Sequence, residues 1–298
     1  MKYLITGSSG FIGSHLVKEL SKNKKNKIYA FDKKNPVVFA SNIKNYKVDL
    51  KKRKIFPKVD YVFHLAAFNG TKNFYDRPLE VIQDNLIPTI NLINFYKKIK
   101  IKRFIFSGSS ESIAGAYSKF NYKIPTDEKC PVVLEDIFNP RWSYANSKSA
   151  SEQIVALSGI PFLVLRYFNV YGQGQIEHFI PEFLNRIKRG KYEIYGYKNT
   201  RTFIYIDDVI GATLKIFKLK GSKNQIINLG GNKEINIYEI SKLILKILKI
   251  KKKIKKYPAP LGSPLRRKPD ISKAVKLIGD FNKTNLINGL KKIIFRWK

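Results

Sequence analysis

A phenol and an amine stand four residues apart in Tyr144-Ala145-Asn146-Ser147-Lys148. Apolar spacing predicts a helix over residues 144–158, so both side chains project from one face, separated by roughly 6 Å along the axis. A lysine cation beside a tyrosine favours the phenolate. The spacing therefore predicts a phenol drawn down from about 10 toward the range in which it takes a proton from a hydroxyl group. Ser107-Gly108-Ser109-Ser110-Glu111 offers a partner: Ser109 can donate to and accept from a reacting oxygen. The serine stretch follows the fifth expected strand, at the carboxyl end of the sheet where doubly wound folds bind ligands, and the Tyr144 helix lies between the fifth and sixth.

A second constellation lies at the start of the chain. Gly7-Ser8-Ser9-Gly10-Phe11-Ile12-Gly13 follows an apolar run and opens a helical pattern. Glycines with this spacing let the backbone turn tightly against a pyrophosphate, whose charge meets the free amides of the helix start. Asp32 ends the next expected strand, where a carboxylate accepts hydrogen bonds from ribose hydroxyls and repels a 2′-phosphate; this favours NAD over NADP. Asp49-Leu50 after the third strand and Ala66-Ala67 after the fourth are candidates for the adenine and ribose pockets. His15 and His64 read as packed or surface histidines. No third ligand stands at metal spacing, and the sole cysteine, Cys130, leaves no cysteine pair for zinc or a disulfide.

These residues need a scaffold, and the rest of the chain predicts one. Short β-branched or aromatic runs at 2–6, 28–31, 46–48, 61–65, 104–107 and 162–167 alternate with amphipathic stretches at 11–22, 79–98 and 144–158. That alternation predicts an α/β fold, a Rossmann-type doubly wound parallel sheet with a smaller C-terminal α/β substrate cap. Residues 1–168 are expected to form the dinucleotide domain, with 203–230 returning to it, and residues 169–202 and 231–298 the cap. Within 169–230 the pattern predicts a helix at 179–189, strands at 192–195 and 202–206, a helix at 208–217 and a strand at 226–229. The loop at 117–141, with three prolines and no periodicity, is long enough to imply a function.

The bulk composition excludes little. The 44% hydrophobic content suits a folded protein, and the N-terminal apolar stretch is too short for a signal peptide or a membrane span, so a cytoplasmic location is expected. The 57 Lys plus Arg against 22 Asp plus Glu give a net charge of +35, compatible with RNA or an anionic surface. The excess is lysine in short runs that read as solvated faces, and no nucleic-acid-binding signature accompanies it.

In order along the chain, the glycine turn, His64-Leu65-Ala66-Ala67, Asn85, the Ser109 loop, Tyr144 with Lys148, the 166–172 run Arg-Tyr-Phe-Asn-Val-Tyr-Gly, Arg201-Thr202-Phe203 with Asp207-Asp208, and the 266–271 run Arg-Arg-Lys-Pro-Asp-Ile resemble the extended short-chain dehydrogenases/reductases. The resemblance is to their NAD-dependent epimerase/dehydratase group, which modifies nucleotide sugars. It implies a catalytic triad of Ser109, Tyr144 and Lys148, with Lys148 also on the nicotinamide ribose. It further implies dinucleotide contacts from Gly7, Gly10, Phe11, Ile12, Gly13, Asp32, Asp49, Leu50, Leu65, Ala66, Ala67, Asn85 and Ser107. Ser110 and Asn169 would face a nucleotide-diphosphate sugar, whose phosphates Arg201 and Arg266 or Arg267 would clamp. A homodimer through the 79–98 and 144–158 helices is implied as well.

The shared first step would be Tyr144 taking the C4 hydroxyl proton while hydride passes to NAD, leaving a 4-keto sugar and bound NADH. Epimerisation is the leading expectation. Glu111 departs from the small or neutral residue of many 4-epimerases and keeps 4,6-dehydration and glucuronate-type decarboxylation open. Ser110 replaces the aspartate of dTDP-glucose-type dehydratases, and Ile113-Ala114 replaces the usual Tyr-Gly. A cofactor-sensing or RNA-binding relative is the non-enzyme alternative.

Overall fold

The computed structural model describes residues 1–297. Lys2–Thr6 (β1) is apolar at successive positions, and the pleat sends Tyr3 and Ile5 into one core cluster and Leu4 into another. Burial on both faces is the reason the strand is an uninterrupted apolar run. The chain continues through Phe11–Ser21 (α1), Lys27–Asp32 (β2), Ile43–Lys47 (β3), Tyr61–His64 (β4), Thr71–Asp76 (α2), Pro78–Tyr96 (α3) and Arg103–Ser109 (β5). A 3-10 turn at Ser110–Ile113, the short helix Gly115–Phe120 (α4) and a second 3-10 turn at Pro140–Trp142 lead into Ser143–Ala156 (α5) and Phe162–Tyr167 (β6).

Val170–Tyr171 (β7), Phe179–Lys188 (α6), Glu193–Tyr195 (β8), Thr200–Thr202 (β9), Ile204–Tyr205 (β10), Ile206–Ile216 (α7) and Gln225–Leu229 (β11) follow. The last elements are Glu234–Asn236 (β12), Ile237–Leu248 (α8), Lys255–Tyr257 (β13), Arg266–Arg267 (β14), Ser272–Ile278 (α9) and Leu286–Trp297 (α10).

The large sheet has the order β11-β6-β5-β4-β1-β2-β3, with every pair parallel. The doubly wound class expected from the alternating pattern is the class observed. Strand order reverses between β1 and β4, and the crevice beyond their carboxyl ends is where such sheets bind ligands. β11 pairs with β6 at one edge of this sheet, while β7–β10, β12-β9-β14 and β8–β13 form three small sheets.

Two local expectations shift. The third strand begins at Ile43, three residues before the expected start, because it is an edge strand whose register against β2 is set by pairing (Ile28 opposite Ile43) and not by an apolar run of its own. The 117–141 stretch holds α4 and the Pro140–Trp142 turn, and α2 was not anticipated at all; elements of three to six residues carry too few apolar repeats to show a period. Among the described residues, no helix is long and apolar enough to cross a membrane.

Candidate active site

Gly7 adopts a φ of 71°, and its amide donates to the Phe31 carbonyl at 2.9 Å, which ties the turn after β1 to the end of β2. A Cβ on Gly7 would stand 2.6 Å from the Ala66 nitrogen, and one on Gly13 would run into the Gly7 carbonyl oxygen. Only glycine permits that closeness. The Asp32 carboxylate reaches back to the turn: it accepts from the Ser9 amide at 2.9 Å and from the Lys34 amide at 2.8 Å. A carboxylate has about four acceptor positions, so two stay available for ribose hydroxyls. Lys33 and Lys51, cations that would attract a 2′-phosphate, are both drawn onto Asp84, at 2.7 Å and 2.5 Å.

One cavity of about 830 Å³ runs from this turn to Arg201 and Arg267 on the small three-stranded sheet. Gly7, Gly10, Phe11, Ile12, Gly13, Asp32, Asp49, Leu50, Leu65, Ala66, Ala67 and Ser107 line it, and so do Ser109, Ser110, Glu111, Tyr144, Lys148, Asn169, Arg201 and Arg267. Two expected contacts lie elsewhere. Asn85 does not reach the cavity: its Oδ1 accepts from the Phe68 amide at 2.7 Å and its Nδ2 donates to Ser147 Oγ at 2.9 Å, so it braces the loop after β4 against α5. Arg266 points away and pairs with Glu234 at 2.7 Å. Successive residues on a strand face opposite sides, so of the pair in β14 only Arg267 enters the cavity.

The residues expected to be catalytic are brought together by α5 and β5. Tyr144 and Lys148 are 7% and 2% exposed, and the Lys148 ammonium lies 5.8 Å from the Tyr144 ring centroid. The Ser109 hydroxyl hydrogen-bonds the phenol and accepts from the Glu111 amide at 3.1 Å. Lys148 Nζ donates to the Ser107 carbonyl at 2.8 Å.

The expected lowering of the phenol is not what the free protein shows. Burial pushes Tyr144 up, with Glu111, Glu177 and Glu152 adding to it against the Ser109 hydrogen bond. Lys148 is itself pushed down by burial to about 8, opposed by Glu152. Removal from water disfavours both charges, and the helical spacing carried no information about that depth.

A pH dependence follows. Lys148 keeps its proton below about 8 and loses it above, so turnover that needs the ammonium is expected to fall as pH rises through that value. A kcat/KM profile of the assay proposed below checks this; an alkaline limb only above 10, where ordinary lysines titrate, contradicts it.

Glu111 is not a free base. Its carboxylate, 15% exposed, accepts from Arg141 Nη2 at 3.0 and 2.9 Å and from Arg267 Nη1 at 2.8 Å. Burial would raise its pKa, but the two guanidiniums outweigh it and hold the carboxyl well below the usual range. Arg201, on β9 beside Arg267, is pushed down to about 9 by burial and then by Arg267. Asn169, at φ 40°, donates to the Thr202 carbonyl at 3.0 Å.

Among the lining residues that escaped the sequence reading are Arg141, Phe74 and Tyr75. Phe74 stacks on Tyr144 with centroids 4.9 Å apart, and Arg141 lies 5.3 Å from the same Phe74 ring. Arg141 stands three residues before Tyr144 in the loop singled out for its length, which was the available signal. Phe74 had none, since its helix is six residues long.

The family model described as NAD dependent epimerase/dehydratase matches residues 3–230. The chain belongs to that family. Among its relatives, the UDP-N-acetyl-alpha-D-glucosaminuronate decarboxylase of Bacillus cytotoxicus is 31% identical, covering 98% of this chain and 96% of that protein. The crystal structure of a UDP-glucuronic acid 4-epimerase from Bacillus cereus, in complex with UDP-glucuronic acid and NAD, is similar with a TM-score of 0.87 at 26% identity, over 100% and 99% of the two chains. A UDP-glucose 4-epimerase from Thermotoga maritima, with UDP-glucose, matches with a TM-score of 0.85 at 27% identity over 99% of each chain. Family membership accounts for the glycine turn and the Ser109, Tyr144 and Lys148 set lining one cavity. It does not choose among epimerisation, dehydration and decarboxylation.

Proposed function

We propose that this chain is an NAD-dependent epimerase of a sugar joined to a nucleoside diphosphate, inverting C4 through a transient 4-keto sugar. The observation that carries the reading is the placement of Ser109, Tyr144 and Lys148 on the wall of the cavity that begins at the glycine turn. The cradle fits a dinucleotide: Gly7 and Gly13 leave room that a Cβ would fill, and Asp32 keeps acceptor positions for ribose hydroxyls. Asp49, Leu50, Leu65, Ala66 and Ala67 would line the rest of its path. Bound NAD supplies a hydride acceptor that can return the hydride it takes.

Tyr144 takes the proton of the C4 hydroxyl, and Ser109 shares that hydrogen bond and keeps the oxygen in line. Lys148 offsets the negative charge that the phenol acquires. When the ketone is reduced from its other face, Tyr144 returns the proton to the alkoxide. Arg201 and Arg267 hold the diphosphate, because a planar guanidinium pairs with two phosphate oxygens at once.

Epimerisation is placed first because Glu111, the candidate base at C5, is committed to two guanidiniums and is a poor proton acceptor. Decarboxylation after the same oxidation is the second reading, since it needs no base at C5 and the Arg141–Glu111–Arg267 group shows that the cavity wall accommodates a carboxylate. Incubation with NAD and a panel of UDP-, GDP-, CDP- and dTDP-sugars, followed by mass spectrometry and NMR, tests the proposal. Unchanged mass with altered ring couplings is the expected result. Loss of roughly 44 or 18 mass units, carbon dioxide or water, would replace epimerisation by the other outcomes of the shared oxidation.

A further inference from the structure

Around the end of β2 the cavity is lined by three carboxylates, Asp32, Asp49 and Asp84, and three lysines, Lys33, Lys34 and Lys51. Asp32 holds the turn and keeps acceptor positions for ribose hydroxyls. Asp49 accepts from the Lys51 amide at 2.9 Å, and Lys34 lies near enough to Glu177 to act on its charge. The other three form one group. Lys33, the residue after Asp32, reaches Asp84 Oδ2 at 2.7 Å, and Lys51 reaches Oδ1 at 2.5 Å. Asp84 comes from a separate segment, α3, and its side chain is 10% exposed against 57% and 31% for the lysines. Burial would raise its carboxyl, but the two ammoniums outweigh it and hold it below the usual range.

We propose that Asp84 is a cofactor-specificity residue that acts through Lys33 and Lys51: by holding both ammoniums it denies them to a 2′-phosphate on the adenosine ribose, and so completes the preference for NAD that Asp32 begins. Without Asp84, two positive charges would stand beside the single negative charge of Asp32, and a phosphate dianion would meet net attraction. With Asp84 the four groups sum to zero, and the neutral hydroxyls of NAD lose nothing. The whole chain, at net charge +35, otherwise favours the more negative of the two dinucleotides. This assignment concerns the dinucleotide alone and holds whatever sugar or reaction follows.

The test is displacement of NADH from the full chain by NAD and by NADP, followed by nicotinamide fluorescence, with the ratio of the two displacement constants as the selectivity. The parent should favour NAD. Asp84→Asn is expected to strengthen NADP about tenfold and to leave NAD within about threefold. Adding Lys33→Met and Lys51→Met to Asp84→Asn should abolish that gain, whereas lost packing or a lost contact of Asp84 with the adenosine would not be undone by removing lysines. The gain should also fade as salt is raised, because the freed ammoniums are exposed to solvent.

A parent without preference for NAD, an unchanged selectivity in Asp84→Asn, or a gain that survives removal of the two lysines overturns the proposal. Should Asp84→Asn fail to fold, Asp84→Ser removes the same charge with less bulk and is held to the same result. Displacement of NADH by neither dinucleotide would sink both this assignment and the dinucleotide cradle. A panel of nucleotide sugars left unchanged would sink the proposed reaction and leave this assignment standing.

Discussion

Tyr144→Phe is expected to lower kcat by about a thousandfold while leaving dinucleotide and nucleotide-sugar binding within a few fold. Proton transfer by a positioned side chain contributes about 10²- to 10⁴-fold. The Ser109 hydroxyl is the phenol's hydrogen-bond partner, but Lys148 is committed to Ser107 and Glu111 to two arginines. The ring itself should stay where it is, because its stack on Phe74 involves the face and not the hydroxyl. In the free protein burial favours the neutral phenol, so its own proton must leave before it can accept that of the sugar hydroxyl, a loss that the Lys148 cation favours. Single-turnover absorbance of the reduced dinucleotide after addition of the active nucleotide sugar measures the step. Retention of more than a tenth of the wild-type rate would assign the proton transfer to another group.

The second large effect concerns stability. Glu152 lies one turn after Lys148 on α5 and meets Arg166 of β6 in a pair whose side chains are 5% and 4% exposed, with Arg166 Nη2 donating at 2.7 Å and Nε at 3.0 Å. Glu152→Ala leaves that guanidinium buried with only the Glu128 carbonyl, at 3.3 Å, as a recorded acceptor. Removing one partner of a buried pair costs about 3–5 kcal/mol, which for a chain of this size lowers Tm by roughly 5–15 °C. Activity should fall as well. Ser112 Oγ shares its one proton between the Ser109 carbonyl, at 2.6 Å, and Glu152, at 3.2 Å, so the pair braces the turn that carries Ser109. Gly108 is part of the same packing, since a Cβ there would stand 2.6 Å from Glu152 Oε1. Thermal unfolding by circular dichroism checks the first effect, and a shift under 2 °C would mean that water reaches Arg166 and the pair is not structural.

Much of this protein was legible before any coordinates. Period and order placed the six main strands and three helices of the large sheet within a few residues, because elements buried between two layers must be apolar in the rhythm of their own geometry. The glycine turn was legible for a related reason: only glycine allows the backbone at residues 7 and 13 to come so close, and that restriction acts on residue type.

Side-chain direction and depth were not legible. Arg266 and Arg267 are the same residue in sequence, and only the register of β14 against β9 turned one into the cavity and the other toward Glu234. That Asn85 braces the loop after β4 against α5 was likewise visible only in the structure. The four-residue spacing of Tyr144 and Lys148 put them on one face of α5, whereas their charge states depend on how far water is excluded, which the packing of Phe74 and the neighbouring strands decides. Local residue type thus determined the sheet, the turn and the reacting groups. The grouping of Arg141, Glu111 and Arg267 was decided by tertiary structure alone, because it joins residues from three separate segments that meet only when the sheet and the small β9–β14 layer close around the cavity.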